Sequence, residues 1–295
     1  MTAYRVGVDV GGTKAAVLAE PLGEGEEVDV TISSTEWDAE PEDAAAAWLD
    51  AVVRRALPDG AEVAALAVGA QGFDSDATVR AVVAHLRDRG YATVTGVNDA
   101  ALLVPAAGLR SGIALISGTG AIGVGQDADG RPLASGGWGW VIGDEGGAAG
   151  IVREAVRTAL RSHDDGEGDD GLLGALLAAF GVADAERLAR AVNDEPTMAN
   201  WGPRAPAVFA AADAGSALAR RVIDDAAAHL VLLAEQLVRR GAVGEDVVAA
   251  GSVIVNQPLL ADTVRDRLAA RLPRHRLILL EAPPVRGALE LARRL

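Results

Sequence analysis

The chain of 295 residues contains no cysteine. That single absence removes disulfides, thiolate zinc sites, iron–sulfur clusters and thiol nucleophiles together. Lysine is nearly absent as well: Lys14 is the only one, and every other strongly basic side chain is an arginine. With 42 acidic against 27 basic residues the formal charge is −15. Such a surface repels polyphosphate backbones, whose binding requires many cations to displace counterions, so no nucleic-acid partner is expected. No uninterrupted apolar run reaches the roughly 20 residues that span a bilayer. The opening MTAYRVGVDV enters a strand-like segment without a charged n-region, an apolar h-region or a cleavage site, which points to a cytoplasmic protein free of membrane. Histidines 85, 163, 229 and 275 show no ligand spacing, and no metal is expected beyond Mg²⁺ carried by a nucleotide. Aromatics are scarce, yet half of the chain is apolar, mostly Ala, Val and Leu. The length suits two domains.

Strand-like runs at Tyr4 to Val10 and Ala15 to Ala19 flank a glycine turn, and Glu24 to Asp38 reads as a loop with an edge strand. Pro41 opens a helix whose Ala45, Trp48, Leu49, Val52 and Val53 share a face. A strand at Val63 to Val68, a helix at Asp76 to Arg89, and strands at Thr93 to Val97 and Gly112 to Ile116 follow. This alternation predicts a largely parallel sheet covered by helices, with polar motifs at strand ends. The middle reads as helices at Gly150 to Arg161, Leu172 to Phe180, Ala185 to Ala191, Pro206 to Ala212 and Ser216 to Arg239. Residues 163–171, HDDGEGDDG, read as a loop or a mobile lid edge. Strands at Val247 to Ala250 and Leu277 to Leu280 and a helix at Val285 to Leu295 close the chain.

Several strings carry chemistry. In DVGGTK, Asp9 to Lys14, glycines 11 and 12 let the backbone approach phosphate oxygens. Thr13 can donate a hydrogen bond, Lys14 supplies a point charge, and Asp9 is placed to hold hydrated Mg²⁺. An ordinary hairpin with a polar tip fits the same string, but the only lysine sits in it. SGTGAIGVG, Ser117 to Gly125, follows another strand and offers Gly118, Thr119 and Gly120 as a second phosphate loop. Asn98 and Asp99 end a strand; Asp99 is a candidate general base, and a plain turn fits the pair equally. In GGWGWVIGDEGGAAGIVREAVR, Asp144 or Glu145 either caps the following helix or accepts bonds from sugar hydroxyls. Trp138 and Trp140 either line a sugar pocket or pack. Gly251 and Ser252 in VVAAGSVIVN suit close backbone approach to an adenosine or a simple strand-to-helix turn.

Taken in order, GVDVGGTKAAVL, VNDA, ISGTGAIG, GGWGWVIGDEGGAAGIVREAV, AAGSV and PPVRGALELA resemble the BadF/BadG/BcrA/BcrD-type ATPases, and within them the N-acetylglucosamine kinases. The resemblance spans nearly the whole chain. It implies an α/β, actin-like (ribonuclease H-like) ATPase fold with two domains flanking a nucleotide cleft. These are an N-terminal domain 1–107, on which a C-terminal helix 283–295 packs back, and a C-terminal domain 108–282 with a helical insert 150–215. It implies ATP and Mg²⁺ as cofactors and phosphorylation of an amino sugar at its 6-hydroxyl, with Asp99 as base. Gly11, Gly12, Thr13, Lys14, Gly118, Thr119, Gly120, Gly251 and Ser252 then bind the nucleotide, and Asp9 holds Mg²⁺ through water. Asn98, Asp144, Gly137, Trp138, Gln71, Glu36 and Trp37 meet the sugar. Where the amino-sugar kinases carry an Asn before a Trp, this chain has Glu36 before Trp37. An acid there either prefers a cationic amino sugar such as glucosamine or lies outside the pocket. N-acetylmuramate and glucose are further acceptors of this class, and a homodimer is compatible with it. The other class of function is a sugar- or nucleotide-sensing protein of the same fold without turnover; no helix-turn-helix or basic patch supports it.

Overall fold

The computed structural model describes residues 2–295. The chain divides into two units: one runs through Ser111 and takes in Leu280–Leu295, the other is Gly112–Leu279.

The first unit is built on strands β1 (Ala3–Val10), β2 (Lys14–Pro21), β3 (Val28–Ser33), β4 (Glu62–Ala70) and β5 (Val94–Asn98), in the order β3-β2-β1-β4-β5. One face packs on helices α1 (Glu42–Ala56) and α2 (Asp76–Asp88). Val6, Val8 and Val10 of β1 meet Leu49 and Val53 of α1 and Val82 and Leu86 of α2 in one core. After β5 a 3₁₀ turn (Asp99–Leu102) runs into the short helix α3 (Leu103–Ala106).

The second unit repeats the plan with β6 (Ile113–Ser117), β7 (Ala121–Gln126), β8 (Pro132–Gly136), β9 (Asp246–Ala250) and β10 (Arg276–Leu279), in the order β10-β9-β6-β7-β8. Read from the other edge, this is the strand order of the first sheet. Both sheets are mixed, because the first three strands of each form an antiparallel meander and the last two join in parallel. The largely parallel sheet that the strand–helix alternation predicts is therefore corrected: a tight glycine turn can only join antiparallel neighbours. Residues 117–125 are likewise not one loop, since Ala121–Gln126 is strand β7. Gly123 lies there because the side chains of Leu233 and Leu237 crowd it, a Cβ falling 3.3 and 3.1 Å from them.

Between β8 and β9 come α4 (Ala148–Asp164), α5 (Leu172–Phe180), α6 (Ala185–Asp194), α7 (Met198–Trp201), α8 (Ala205–Asp213) and α9 (Ala217–Arg239). Helices α10 (Ser252–Asn256) and α11 (Pro258–Arg271) lie between β9 and β10. The acidic stretch 163–171 is tied down rather than free. Asp169 accepts the N–H groups of Gly171, Leu173 and Gly174 at the start of α5. Asp170 accepts from Leu172 N and from Ser216 Oγ and Leu218 N at the start of α9. Carboxylates at helix N-termini satisfy orphan donors and suit the helix dipole. Against the cost of burial, those donors hold the Asp170 carboxyl below its ordinary value.

The closing helix α12 (Val285–Arg294) lies on the other face of the first sheet, with Val285 and Leu289 against Leu18, and Ala292 against Ala65 and Ala67. Its approach is backbone to backbone. A Cβ on Gly7 of β1 would fall 2.2 Å from Leu289 N, and one on Gly287 of α12 would fall 2.0 Å from Leu102 O. Gly7→Ala is therefore expected to cost at least about 2 kcal/mol of unfolding free energy, because a backbone neighbour cannot yield as a side chain can. Gly23→Ala, with nothing within 4 Å of its Cβ, serves as the control and stays within about 0.5 kcal/mol in denaturant unfolding.

Candidate active site

The register of the first sheet brings three turns to one edge. Val10 pairs with Ala70 and Ala70 with Asn98 across parallel strands. The segments Asp9–Lys14, Gln71–Asp74 and Asn98–Asp99 therefore leave side by side, at the strand ends where open α/β sheets take ligands.

The first turn is a braced hairpin tip. Gly11 N–H donates to Lys14 O at 3.0 Å, Ser34 Oγ donates to Gly11 O at 2.6 Å and Ser34 N–H to Thr13 O at 3.2 Å. Gly12, Thr13 and Lys14 are exposed. A Cβ on Gly12 would lie 2.9 Å from Gln71 Oε1, so Gln71 reaches the tip. Trp37 is a packing residue: its Nε1–H donates to Gln71 O at 3.0 Å, and its ring tilts against Trp48 and meets Phe73 edge-on, centroids 5.2 and 6.0 Å away. Glu36 beside it faces solvent.

Asp99 opens the 3₁₀ turn after β5. Burial pushes its carboxyl up, Ala100 N–H at 2.9 Å draws it back, and the charge of Asp74 raises it again. Burial, and then the charge of Asp99, pushes Asp9 up from 3.8 to about 7. Two half-buried acids, one of them raised by the charge of the other, call for a cation. A donor set of one or two carboxylates open to water suits Mg²⁺, which keeps most of its own waters and takes phosphate oxygens. Among the described residues no group of three or more His, Cys, Asp or Glu forms a closed metal site.

Asn98 is committed within the unit. Its Oδ1 accepts Ala100 N–H at 3.0 Å and its Nδ2 donates to Asp74 Oδ1 at 3.0 Å. Asp74 is the residue that the sequence motifs pass over. An acid four residues beyond the end of β4, two after the glycine of a strand-end turn, is the signal that marks it.

In the second unit Ile116 pairs with Ala250, so the Gly118–Gly120 loop and the Gly251–Ser252 turn share an edge. Gly251 has φ +109°, and a Cβ there would fall 2.4 Å from Ser117 O. A Cβ on Gly147 would fall 2.6 Å from Gly120 C. Ala148 N–H donates to Gly118 O at 2.8 Å and Ser117 Oγ to Gly146 O at 2.7 Å. Thr119 stands exposed at the tip.

Asp144 is 8 % exposed and has φ +55°, the one non-glycine residue in that region among those described. Its Oδ2 lies against Gly120 and its buried Oδ1 has no partner among the described residues. Burial raises its carboxyl; the Ala121 N–H and the Arg153 charge lower it, and Glu145 raises it. Neither acid caps α4, whose N-cap is Gly147 without a side-chain bond. Arg153 donates to Trp140 O and, at 3.1 Å, to Gly143 O, tethering the loop from below. Trp140 packs edge-on to Trp201, centroids 4.7 Å apart, while Trp138 is 77 % exposed next to exposed Gly137.

Comparison with known proteins bears on the family and the fold. The model of the BadF/BadG/BcrA/BcrD ATPase family matches residues 6–292. An N-acetylmuramic acid/N-acetylglucosamine kinase of Clostridium acetobutylicum is 30 % identical over 239 residues, covering 79 % of this chain and 78 % of that one. An N-acetyl-D-glucosamine kinase of Dictyostelium discoideum is 23 % identical over 308 residues, covering 97 % of each. The crystal structure of a provisionally assigned N-acetylglucosamine kinase from Chromobacterium violaceum superposes with a TM-score of 0.70 at 23 % identity, covering 98 % of each chain. The fold is the α/β, actin-like ATPase fold.

The raised Asp9 carboxyl has a consequence for stability. Its folded form keeps a proton that the unfolded chain gives up, so the contribution of Asp9 to stability falls as pH rises from about 4 to about 7. Asp9→Asn removes that penalty. It is expected to raise the unfolding free energy at pH 8 by about 1–3 kcal/mol, with the gain fading below pH 4, as read from unfolding curves across pH.

Proposed function

Because the chain belongs to the BadF/BadG/BcrA/BcrD ATPase family, we propose that it is an ATP-dependent kinase that phosphorylates an amino sugar, N-acetyl-D-glucosamine at its 6-hydroxyl. The observation that carries this reading is the half-buried Asp99 carboxyl on the same sheet edge as the glycine turn that bears the only lysine. Both curated relatives are named for N-acetylglucosamine, which supports the acceptor.

Phosphoryl transfer asks little covalent chemistry of a protein; positioning and charge stabilisation do most of it. Asp99 orients the acceptor hydroxyl and takes its proton, a task favoured by a carboxyl raised toward neutrality. Lys14, Thr13 and the Gly12 N–H offer donors to phosphate oxygens, as do Thr119 and Gly120 in the second unit, while Gly11 and Gly118, whose own N–H groups close their turns, let the backbone come close. Gly251 and Ser252 allow the backbone close to an adenosine. Mg²⁺, held through water by Asp9, would neutralise phosphate charge. In the second unit, Asp144, whose Oδ1 has no partner among the described residues, is the acid that would accept from a sugar hydroxyl. Gln71, Glu36, Gly137 and Trp138 complete the proposed sugar contacts, with Trp37 acting by holding Gln71 in place and Asn98 through the second N–H of its Nδ2.

N-acetylmuramate is the second acceptor, because the relative with 30 % identity is named for both sugars. The enzyme works in the cytoplasm, where ATP is available. Among the described residues no helix is long and apolar enough to cross a membrane, and the charge of −15 disfavours nucleic acid. A homodimer is part of the proposal, and light scattering reads it directly.

ADP release measured over N-acetylglucosamine, N-acetylmuramate, glucosamine, N-acetylmannosamine and glucose identifies the acceptor. ATP binding without turnover on any of them supports the sensing role instead. Asp99→Ala is expected to lower kcat by about 10²–10⁴-fold with ATP affinity kept; near-normal turnover would refute the role of Asp99. A lysine-directed acyl-phosphate analogue of ATP should modify Lys14, the one ε-amine of the chain, and excess ATP should protect it. Labelling that ATP leaves untouched removes Lys14 from the nucleotide site.

A further inference from the structure

We infer that Asp74 is a positioning residue for the catalytic base, acting through Asn98. The inference rests on the reading of Asp99 as the base.

The chemistry of the Asn98 amide makes the arrangement one-directional. Its two ends differ, one being an acceptor and the other a donor. Ala100 N–H can be met only by Oδ1, and the two atoms lie 3.0 Å apart. That capping bond turns Nδ2 toward Asp74, where a carboxylate oxygen waits at 3.0 Å. A carboxylate can only accept, so Asp74 enforces the orientation in which Asn98 caps the 3₁₀ turn. The same Ala100 N–H also donates to Asp99 Oδ1 at 2.9 Å. Asp74, Asn98, Ala100 and Asp99 thus form a chain of bonds that ends on the base.

Asp74 can act this way because its own position is fixed from both sides. Phe73 is 3 % exposed, its ring lying over β5 at Gly96, where a Cβ would fall 3.2 Å from Phe73 Cε2. Ser75 caps α2, its Oγ accepting Thr78 N–H at 3.1 Å. Asp74 therefore stands on a short turn held between a buried ring and a capped helix, the rigid support that a positioned site needs. Its side chain is exposed and has no other hydrogen bond among the described residues. That exposure makes it removable without unfolding the protein.

Steady-state kinetics on Asp74→Ala, Asp74→Asn, Asn98→Ala, the Asp74→Ala/Asn98→Ala double variant and Asp99→Ala test the inference. Asp74→Ala is expected to lose about 10–100-fold in kcat, the scale of a misplaced catalytic group, with KM for sugar and ATP changed by less than about threefold. Asp74→Asn keeps an oxygen acceptor for Asn98 and is expected to return to within about threefold of wild type. The double variant is expected to be no slower than Asn98→Ala, because both changes cut one chain.

An Asp74→Asn variant as slow as Asp74→Ala would overturn the inference, showing that the charge itself acts on a cation or substrate. A raised sugar KM with normal kcat in Asp74→Ala would overturn it in favour of a direct sugar contact, and unchanged kinetics would leave Asp74 no role. If Asp99→Ala is inactive while Asp74→Ala is normal, only the present inference fails. If Asp99→Ala turns over normally, the base assignment fails and this inference with it.

Discussion

The position of the base depends on the burial of Leu102. This side chain is fully buried; it lies under β4, where a Cβ on Gly69 would fall 2.3 Å from its Cδ1, and its carbonyl meets α12 at Gly287. Asp99 begins the same 3₁₀ turn that Leu102 ends. Interiors packed to crystal density do not let such a wedge slide. Helix α12 is placed in turn by its contact with β1 at Gly7. The closing helix therefore helps to fix a carboxyl at the end of the first third of the chain, through three glycines whose missing Cβ atoms admit the contact.

That rigidity holds together groups that oppose each other. Asp9 and Asp99 are both pushed up by burial, and Asp9 further by the charge of Asp99. In the second unit Asp144 combines a left-handed backbone, burial and an unpartnered oxygen. Left-handed geometry at a non-glycine residue and an unpaired buried oxygen each cost free energy, and they persist only where the surroundings over-determine them. Asp9 lies one residue from the end of β1, Asp99 follows β5 directly, and Asp144 stands in the loop before α4 against Gly120. Breaches of local rules gather where a protein has chemistry to do.

Much of this was legible in the sequence because the signals are local. DVGGTK announces a hairpin tip after a strand, and VND a strand end, from residue types alone. The long apolar faces of α1, α2 and α9 are equally plain. The meander strands β7 and β8 are not, since Gly123 and Gly125 mimic turn signals while serving close packing against Leu233, Leu237 and Ala242. Helix α11 carries its own marks, Pro258 in its first turn and Leu260, Val264 and Leu268 four apart, but Asp and Arg between them dilute the pattern. The direction of a Trp is beyond sequence altogether: Trp138 and Trp140 differ by two positions in one glycine-rich loop, and only the second finds Trp201. Asp74 was hidden for a different reason. Its partner is 24 residues away, and pairing across β4 and β5 follows from sheet register rather than from any motif.

The five tryptophans are unevenly sheltered. Trp201 is buried, Trp37, Trp48 and Trp140 are partly covered, and Trp138 alone stands in solvent. An aqueous quencher such as iodide will therefore reach one indole far more readily than the other four. The native emission should split into a quenchable and a protected fraction, so that the loop which carries Asp144 comes with its own optical reporter.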